Sequence, residues 1–365
     1  MPPTLAVEIY HSIIHSVNTV ADLLDLSLCC STFRAEAQRL LFRHPITDTH
    51  AEQMLFILAI CSAPERLGPL VHTYTMEYNP GPGGDMEQEA IFIALALRFM
   101  CNLKQIDHRA STVMPIIIYK HCKAPLESFN YYRDSNARPD ISSLVYEMLP
   151  TQPSLTHMII LCSGGVKIDS EMRKAAADLC PNLVSLCVNS RAIGKLFLRR
   201  KRHLQSLQWV VGTSTPTCMK VSQYNRLNYL MMSLLTRGLD TSFAPHLSSL
   251  TLLELCLRAE WDDDILNSEI QFISDIPHLQ YLMIYGGTST RPQSLEGGQQ
   301  TECPEIALSA FRMRNTLKHI TIGPIDEDTS GYLRVFAPSN EADVIQSRFL
   351  SKQEVDAFRI KHTLR

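Results

Sequence analysis

His11 and His15 stand one helical turn apart, a spacing used by metal ligands. The glutamate of a His-Glu-x-x-His motif is missing, and the sequence singles out no third ligand. Gly81-Pro-Gly-Gly84 has glycines but neither the lysine nor the following Ser/Thr of a phosphate loop, so it reads as a connection. Arg199-Arg-Lys-Arg202 reads as a solvated corner entering a strand at Leu204, ahead of a nuclear-import or nucleic-acid patch. Asp262-Asp-Asp264 reads as the cap of a following helix. No Gly-x-Ser-x-Gly elbow or activated Cys/His pairing can be recognised. The expectation is a non-catalytic chain with no metal and no cofactor.

The eleven cysteines point the same way. Cys61, Cys101, Cys122, Cys162, Cys180, Cys187, Cys218, Cys256 and Cys303 are scattered in mostly apolar settings and form no Cys-x-x-Cys pair. That pattern suits buried thiols in a reducing compartment better than a zinc site or a disulfide framework. At 365 residues, 45% hydrophobic and 19% charged, the chain is long and apolar enough for a sizeable ordered core. A net charge of -3 makes no electrostatic case for nucleic acid or an acidic membrane as partner. No window holds the roughly eighteen apolar residues of a membrane span. The N-terminus does not look like a secretory signal. The expected location is intracellular, in cytoplasm, nucleus or both.

With no chemistry resolved, the elements that position side chains carry the argument. Leu5, Ile9, Ile13 and Val17 recur every four residues, as on one side of a helix. Thr19, three residues before Asp22, can cap a second helix whose Leu23, Leu24, Leu26 and Leu28 cover most of its circumference. Ser31 can cap a third, with Phe33, Ala37, Leu40 and Leu41 as its stripe, and Pro45 closes the unit. Such a unit has more apolar surface than it can bury alone, which suits docking. A plain cap on the larger domain is the alternative.

This segment resembles an F-box, in the style common in fungal F-box proteins. Leu5, Glu8 and Ile9 match the opening Leu-Pro-x-Glu-Ile pattern. Leu24, Leu26, Ser27, Leu28, Cys30, Phe33 and Arg34 match the Leu-x-Leu-x-x-Val-Cys-Arg-x-Phe pattern, and Ala37, Arg39, Leu41 and Phe42 match the closing helix. Ala6 replaces the usual proline, and Ser31 stands where Arg or Lys is common. The resemblance implies docking on a Skp-type adaptor, and through it a cullin, by Leu5, Ile9, Leu24, Leu28 and Phe33.

Beyond residue 46 a Leu-x-x-Leu-x-Leu phrase, or a close relative, begins at Leu103, Leu126, Leu155, Leu183, Leu204, Leu250, Leu279 and Leu317, with a looser copy at Val71. The spacing is near that of leucine-rich repeats, in which each unit gives one strand and one helix. The gap between Leu204 and Leu250 holds either a degenerate copy at Leu227-Asn-Tyr-Leu230 or an inserted helix over Tyr229 to Leu239. Because strand side chains alternate, the fourth and sixth positions enter the core while the third and fifth face out. Between strands, Asp169 or Ser170 can cap a helix carrying Met172, Ala175, Ala176 and Leu179.

The expected architecture is mixed α/β. Residues 1–46 form a three-helix F-box-like domain. Residues 47–335 form an irregular leucine-rich-repeat solenoid with parallel inner strands, outer helices and a mobile loop at 286–303. Residues 336–365 form a tail, with a helix shielding the last repeat. The irregular spacing also resembles the divergent repeat domains that follow F-boxes. That family pattern implies a protein substrate held on the inner face, at the fifth positions Asp107, Asn130, Ile159, Cys187, Gln208, Met283 and Thr321. These residues are mostly uncharged, a surface suited to protein contact. The implied function is substrate recognition within a Skp–cullin–F-box ubiquitin ligase, with no nucleic acid and no membrane. A leucine-rich-repeat scaffold with a merely capping head is the alternative.

Overall fold

The structure is a computed structural model that describes residues 7–17, 19–45, 47, 49–78, 86–110, 117–133, 141–163, 166–199, 202–212, 214–216, 218–234, 240–257, 268–286, 305–323, 332–336 and 347–363. Leu5, Gly81-Pro-Gly-Gly84, Asp262-Asp-Asp264, Cys303 and residues 287–303 lie outside them. The chain divides into two compact units, Met1–Pro181 and Asn182–Arg365.

The first unit opens with helices α1 (Val7–His15), α2 (Val20–Cys29) and α3 (Ser31–Arg43). Thr19 caps α2 by accepting from the Asp22 N–H at 3.1 Å. The third helix starts one residue earlier than a Ser31 cap requires. Cys30 takes the extended cap conformation, so Ser31 already lies in the first turn and makes no cap. Ile14, Leu23 and Ala37 form the buried centre, with Val17, Leu26, Phe33, Leu40 and Leu41 packed against it. The stripe of Ile9, Ile13 and Val17 is therefore split, since Val17 alone of these packs on that centre. Ile14 points inward, while Ile9 and Ile13 face water at 45% and 42% exposure.

Helices α4 (His50–Ser62) and α5 (Pro64–Leu67) lead to strand β1 (Thr73–Tyr78). Then come α6 (Met86–Phe99), β2 (Gln105–Ala110), α7 (Ile117–Lys120), β3 (Ser128–Arg133), β4 (His157–Cys162) and α8 (Ser170–Ala175). Strands β1 to β4 pair in parallel, in chain order. Asp169 caps α8 by accepting from the Met172 N–H at 2.7 Å.

In the second unit β5 (Ser185–Val188), β6 (Ser206–Trp209), β7 (Tyr229–Leu234), β8 (Leu252–Leu257), β9 (Tyr281–Tyr285) and β10 (His319–Gly323) are again parallel and in chain order. Helices α9 (Arg191–Leu198) and α10 (Val221–Tyr224) follow β5 and β6, and α11 (Glu305–Met313) precedes β10. The described part of the Leu204–Leu250 gap thus holds a strand at Tyr229–Leu234, which settles the degenerate copy over the inserted helix there. The series ends with antiparallel β11 (Tyr332–Phe336) and β12 (Ser347–Leu350), where no Leu phrase occurs.

The phrase predicts burial position by position. Leu126, Phe129 and Tyr131, or Leu250, Leu253 and Leu255, fill its first, fourth and sixth places. In every copy from Val71 to Leu317 these residues are no more than 3% exposed. One backbone carbonyl per repeat ties each strand to the next. Lys104 O accepts from the N–H groups of Glu127 and Ser128, Gln205 O from Asn228 and Tyr229, and Thr251 O from Gln280 and Tyr281. No unit buries its leucines alone, so stacked copies share one core within each unit. The fold of each is leucine-rich-repeat-like.

Helix α12 (Lys352–Thr363) closes the chain. Its Phe358 ring meets His319 of β10, the strand of the last copy of the phrase, with centroids 5.1 Å apart. Val355 and Phe358 pack on Tyr229, Leu252, Tyr281, Met283, Tyr285 and Tyr332, all on the sheet face opposite the leucine core.

Candidate functional site

One surface of this geometry is the outward side of the N-terminal helices. Val20, Leu24 and Leu28 recur at four-residue spacing along α2 and are 51%, 52% and 75% exposed. Ile9 and Ile13 make the matching stripe on α1. Full burial of one such side chain is worth about 1.5–3 kcal/mol, so this stripe is a store of unspent hydrophobic contact. Phe33 is placed differently. Its ring meets Tyr10 edge-on at 5.2 Å and packs on the Ile14 cluster, so it supports the surface from behind. Sequence spacing missed Ile13 and Val20 as surface residues. It also missed Leu55, Leu58, Ile91 and Leu95, which α4 and α6 leave exposed.

The helical head is also fastened to the repeats of its unit. Arg43 O accepts from the His72 N–H at 3.0 Å, and His44 Nδ1 lies 2.8 Å from Thr73 Oγ1. Phe42, Phe56 and Tyr74 form a row with ring centroids 5.5 and 5.8 Å apart. These contacts use the C-terminal end of α3 and leave the α2 stripe clear.

Between α1 and α3 lies a polar cluster. His11 Nδ1 and His15 Nε2 sit 3.1 and 3.2 Å from Glu36 Oε1. The guanidinium of Arg39 donates to both Glu36 oxygens, Nε reaching each at 3.0 Å. Hydrogen bonding from Arg39, resisted by burial and helped by His11, holds the Glu36 carboxyl at about 2.

The fifth positions form a row within each unit. In the first unit Asp107, Asn130 and Ile159 are aligned neighbours and half-buried. Asn130 Nδ2 donates to Asp107 Oδ1 at 2.5 Å, and Gln105 Nε2 donates to the same carboxylate at 3.1 Å. In the second unit Cys187, Gln208, Met231, Glu254, Met283 and Thr321 align. Gln208 is half-buried, but Cys187, Met283 and Thr321 are buried, Met283 within the cluster that α12 closes. For Met283 the cover is α12, and Thr321 accepts from Arg334 Nε of β11 at 3.3 Å.

The remaining chemical candidates resolve simply. Arg202 is buried and donates to Phe197 O at 2.6 Å, so it serves the turn after α9. Burial pushes the Cys122 and Cys187 thiols up to about 12, which leaves them unreactive near neutrality. Among the described residues no helix is long and apolar enough to cross a membrane.

No family model matches the chain, and no curated protein matches it. Among solved structures it is similar to the leucine-rich repeat-containing protein LegL7 from Legionella pneumophila, at 11% identity and a TM-score of 0.45, over 69% of this chain and 91% of that one.

Proposed function

We propose that this chain is a protein-recognition adaptor, the substrate-binding subunit of a Skp–cullin–F-box ubiquitin ligase. The N-terminal helices dock on the Skp-type adaptor, and the repeat domain holds a protein substrate. Ubiquitin transfer takes place on partners, and this chain contributes proximity and orientation. The observation that carries the reading is the exposed Val20, Leu24 and Leu28 stripe, on the helix that resembles the central F-box pattern. Leu5 and Ile9 extend the docking surface, and Phe33 braces it. The substrate surface in the first unit is Asp107, Asn130 and Ile159.

A second reading is a leucine-rich-repeat scaffold whose head is only a cap. The Phe42, Phe56 and Tyr74 row favours it, since a cap needs such a seam. One pull-down separates the two. Recovery of a Skp-type adaptor with the wild-type chain, lost in a folded Leu28→Asp variant, supports docking. No recovery with the wild type leaves the scaffold.

A further inference from the structure

The His11, His15 and Glu36 cluster has the composition and spacing of an ion site. One ligand atom from each residue lies within 4.8 Å of the others. The two imidazole nitrogens sit 3.1 and 3.2 Å from one carboxylate oxygen. Tetrahedral zinc with bonds of about 2.0–2.1 Å puts neighbouring ligand atoms roughly 3.3 Å apart, close to these separations. Both histidines come from one turn of α1 and the glutamate from α3, so the donors meet from two sides. His11 and His15 are half exposed, which leaves room for a water at a fourth position.

The hydrogen-bond roles point the same way. His15 Nε2 lies 2.9 Å from Arg39 Nη2. A guanidinium only donates, so that ring nitrogen presents its lone pair. It cannot then donate to Glu36 Oε1 as well, and two acceptors face each other across 3.2 Å. What reconciles them is positive charge, supplied here by Arg39. Its side chain is 36% exposed.

We infer that His11, His15 and Glu36 form a binding site for a divalent ion of the zinc type, which takes over the place held by the guanidinium of Arg39. Two imidazoles and a carboxylate suit zinc and cobalt over magnesium or calcium. The bound ion clamps α1 to α3 while Ile9 and Ile13 still face outward. The inference is independent of the ubiquitin-ligase reading.

The test uses the full chain at neutral pH, with zinc alone titrated against a chromophoric chelator and cobalt as a spectroscopic probe. One equivalent of zinc is expected. His11→Ala and His15→Ala, whose exposed positions spare the fold, should each weaken binding by about tenfold or more. Glu36→Gln should do the same, and Arg39→Gln should tighten binding by removing the competitor. The cobalt spectrum should show ligand-field bands without thiolate charge transfer. Failure of the wild type to bind zinc would overturn the inference. So would affinity unchanged in His15→Ala, or a thiolate band marking capture by cysteines.

Discussion

Arg359 on α12 grips both oxygens of Glu254 on β8, with Nη2 2.7 Å from Oε1 and Nε 3.1 Å from Oε2, although 105 residues separate them. Tyr229 donates to the same carboxylate at 2.9 Å. Burial pushes the Glu254 carboxyl up against the pull of Arg359. The guanidinium also stacks 4.9 Å from the Tyr285 ring centroid. This pair anchors the helix that closes the inner face of the second unit.

Removing one partner strands the other. Arg359→Met should destabilise the chain by about 3 kcal/mol, because a carboxylate only 2% exposed loses its counter-charge. Pairing it with Glu254→Gln should restore at least half of that loss. Chemical denaturation of the two single variants and the double variant measures the coupling, and a silent Arg359→Met would sink the account.

Adjacent isoleucines should behave oppositely. Ile14→Ala should cost about 2–5 kcal/mol as a core truncation. Ile13→Ala, at a 42% exposed site, should stay within about 0.5 kcal/mol of wild type. Equal losses in thermal unfolding would mean that α1 is seated another way.

Gly194 in α9 packs flat on the Trp209 ring, and a Cβ there would collide with the Cζ3 and Cη2 atoms. Alanine normally stabilises a helix interior by about 1 kcal/mol over glycine. Here the clash with a core tryptophan should reverse the sign and cost about 1–3 kcal/mol. Near-ultraviolet circular dichroism of Gly194→Ala should report the displaced indole, and a stabilised variant would refute the contact.

His108 fills a sixth position of the repeat phrase and is fully buried, with Nδ1 2.5 Å from Tyr119 Oη. Burial, helped by the charge of Arg133, lowers its pKa to about 3. The unfolded chain therefore takes up a proton below about pH 6.5 that the folded one refuses. Its contribution is intact above that pH and falls by about 1.4 kcal/mol per unit toward pH 3. Unfolding free energies measured from pH 7 to 4 should lose this slope in His108→Gln, and an unchanged slope would assign the titration elsewhere.

Much of this was legible beforehand. Every first, fourth and sixth place of the phrase is buried, because strand alternation is a local rule that tertiary context rarely overturns. Thr19 capping followed from spacing for the same reason, and Asp169 was one of the two caps that spacing offered for α8. The N-terminal stripe was legible as a repeat of apolar residues, but its direction was not. Ile9 and Ile13 recur as regularly as a buried stripe would, and only Phe33 and Ala37 on another helix show that Ile14 is the inward residue.

By itself the sequence determined which residues line the leucine core and where strands begin, because those depend on neighbours a few residues away. Tertiary structure alone decided what covers the opposite face. Met283 alternates outward as its strand requires, and whether that side meets water depends on where α12, tens of residues later in the chain, comes to rest. The same holds for Glu36 beside His11 and His15. Helical spacing brings two imidazoles together, but the third donor arrives from another helix, and packing sets that meeting.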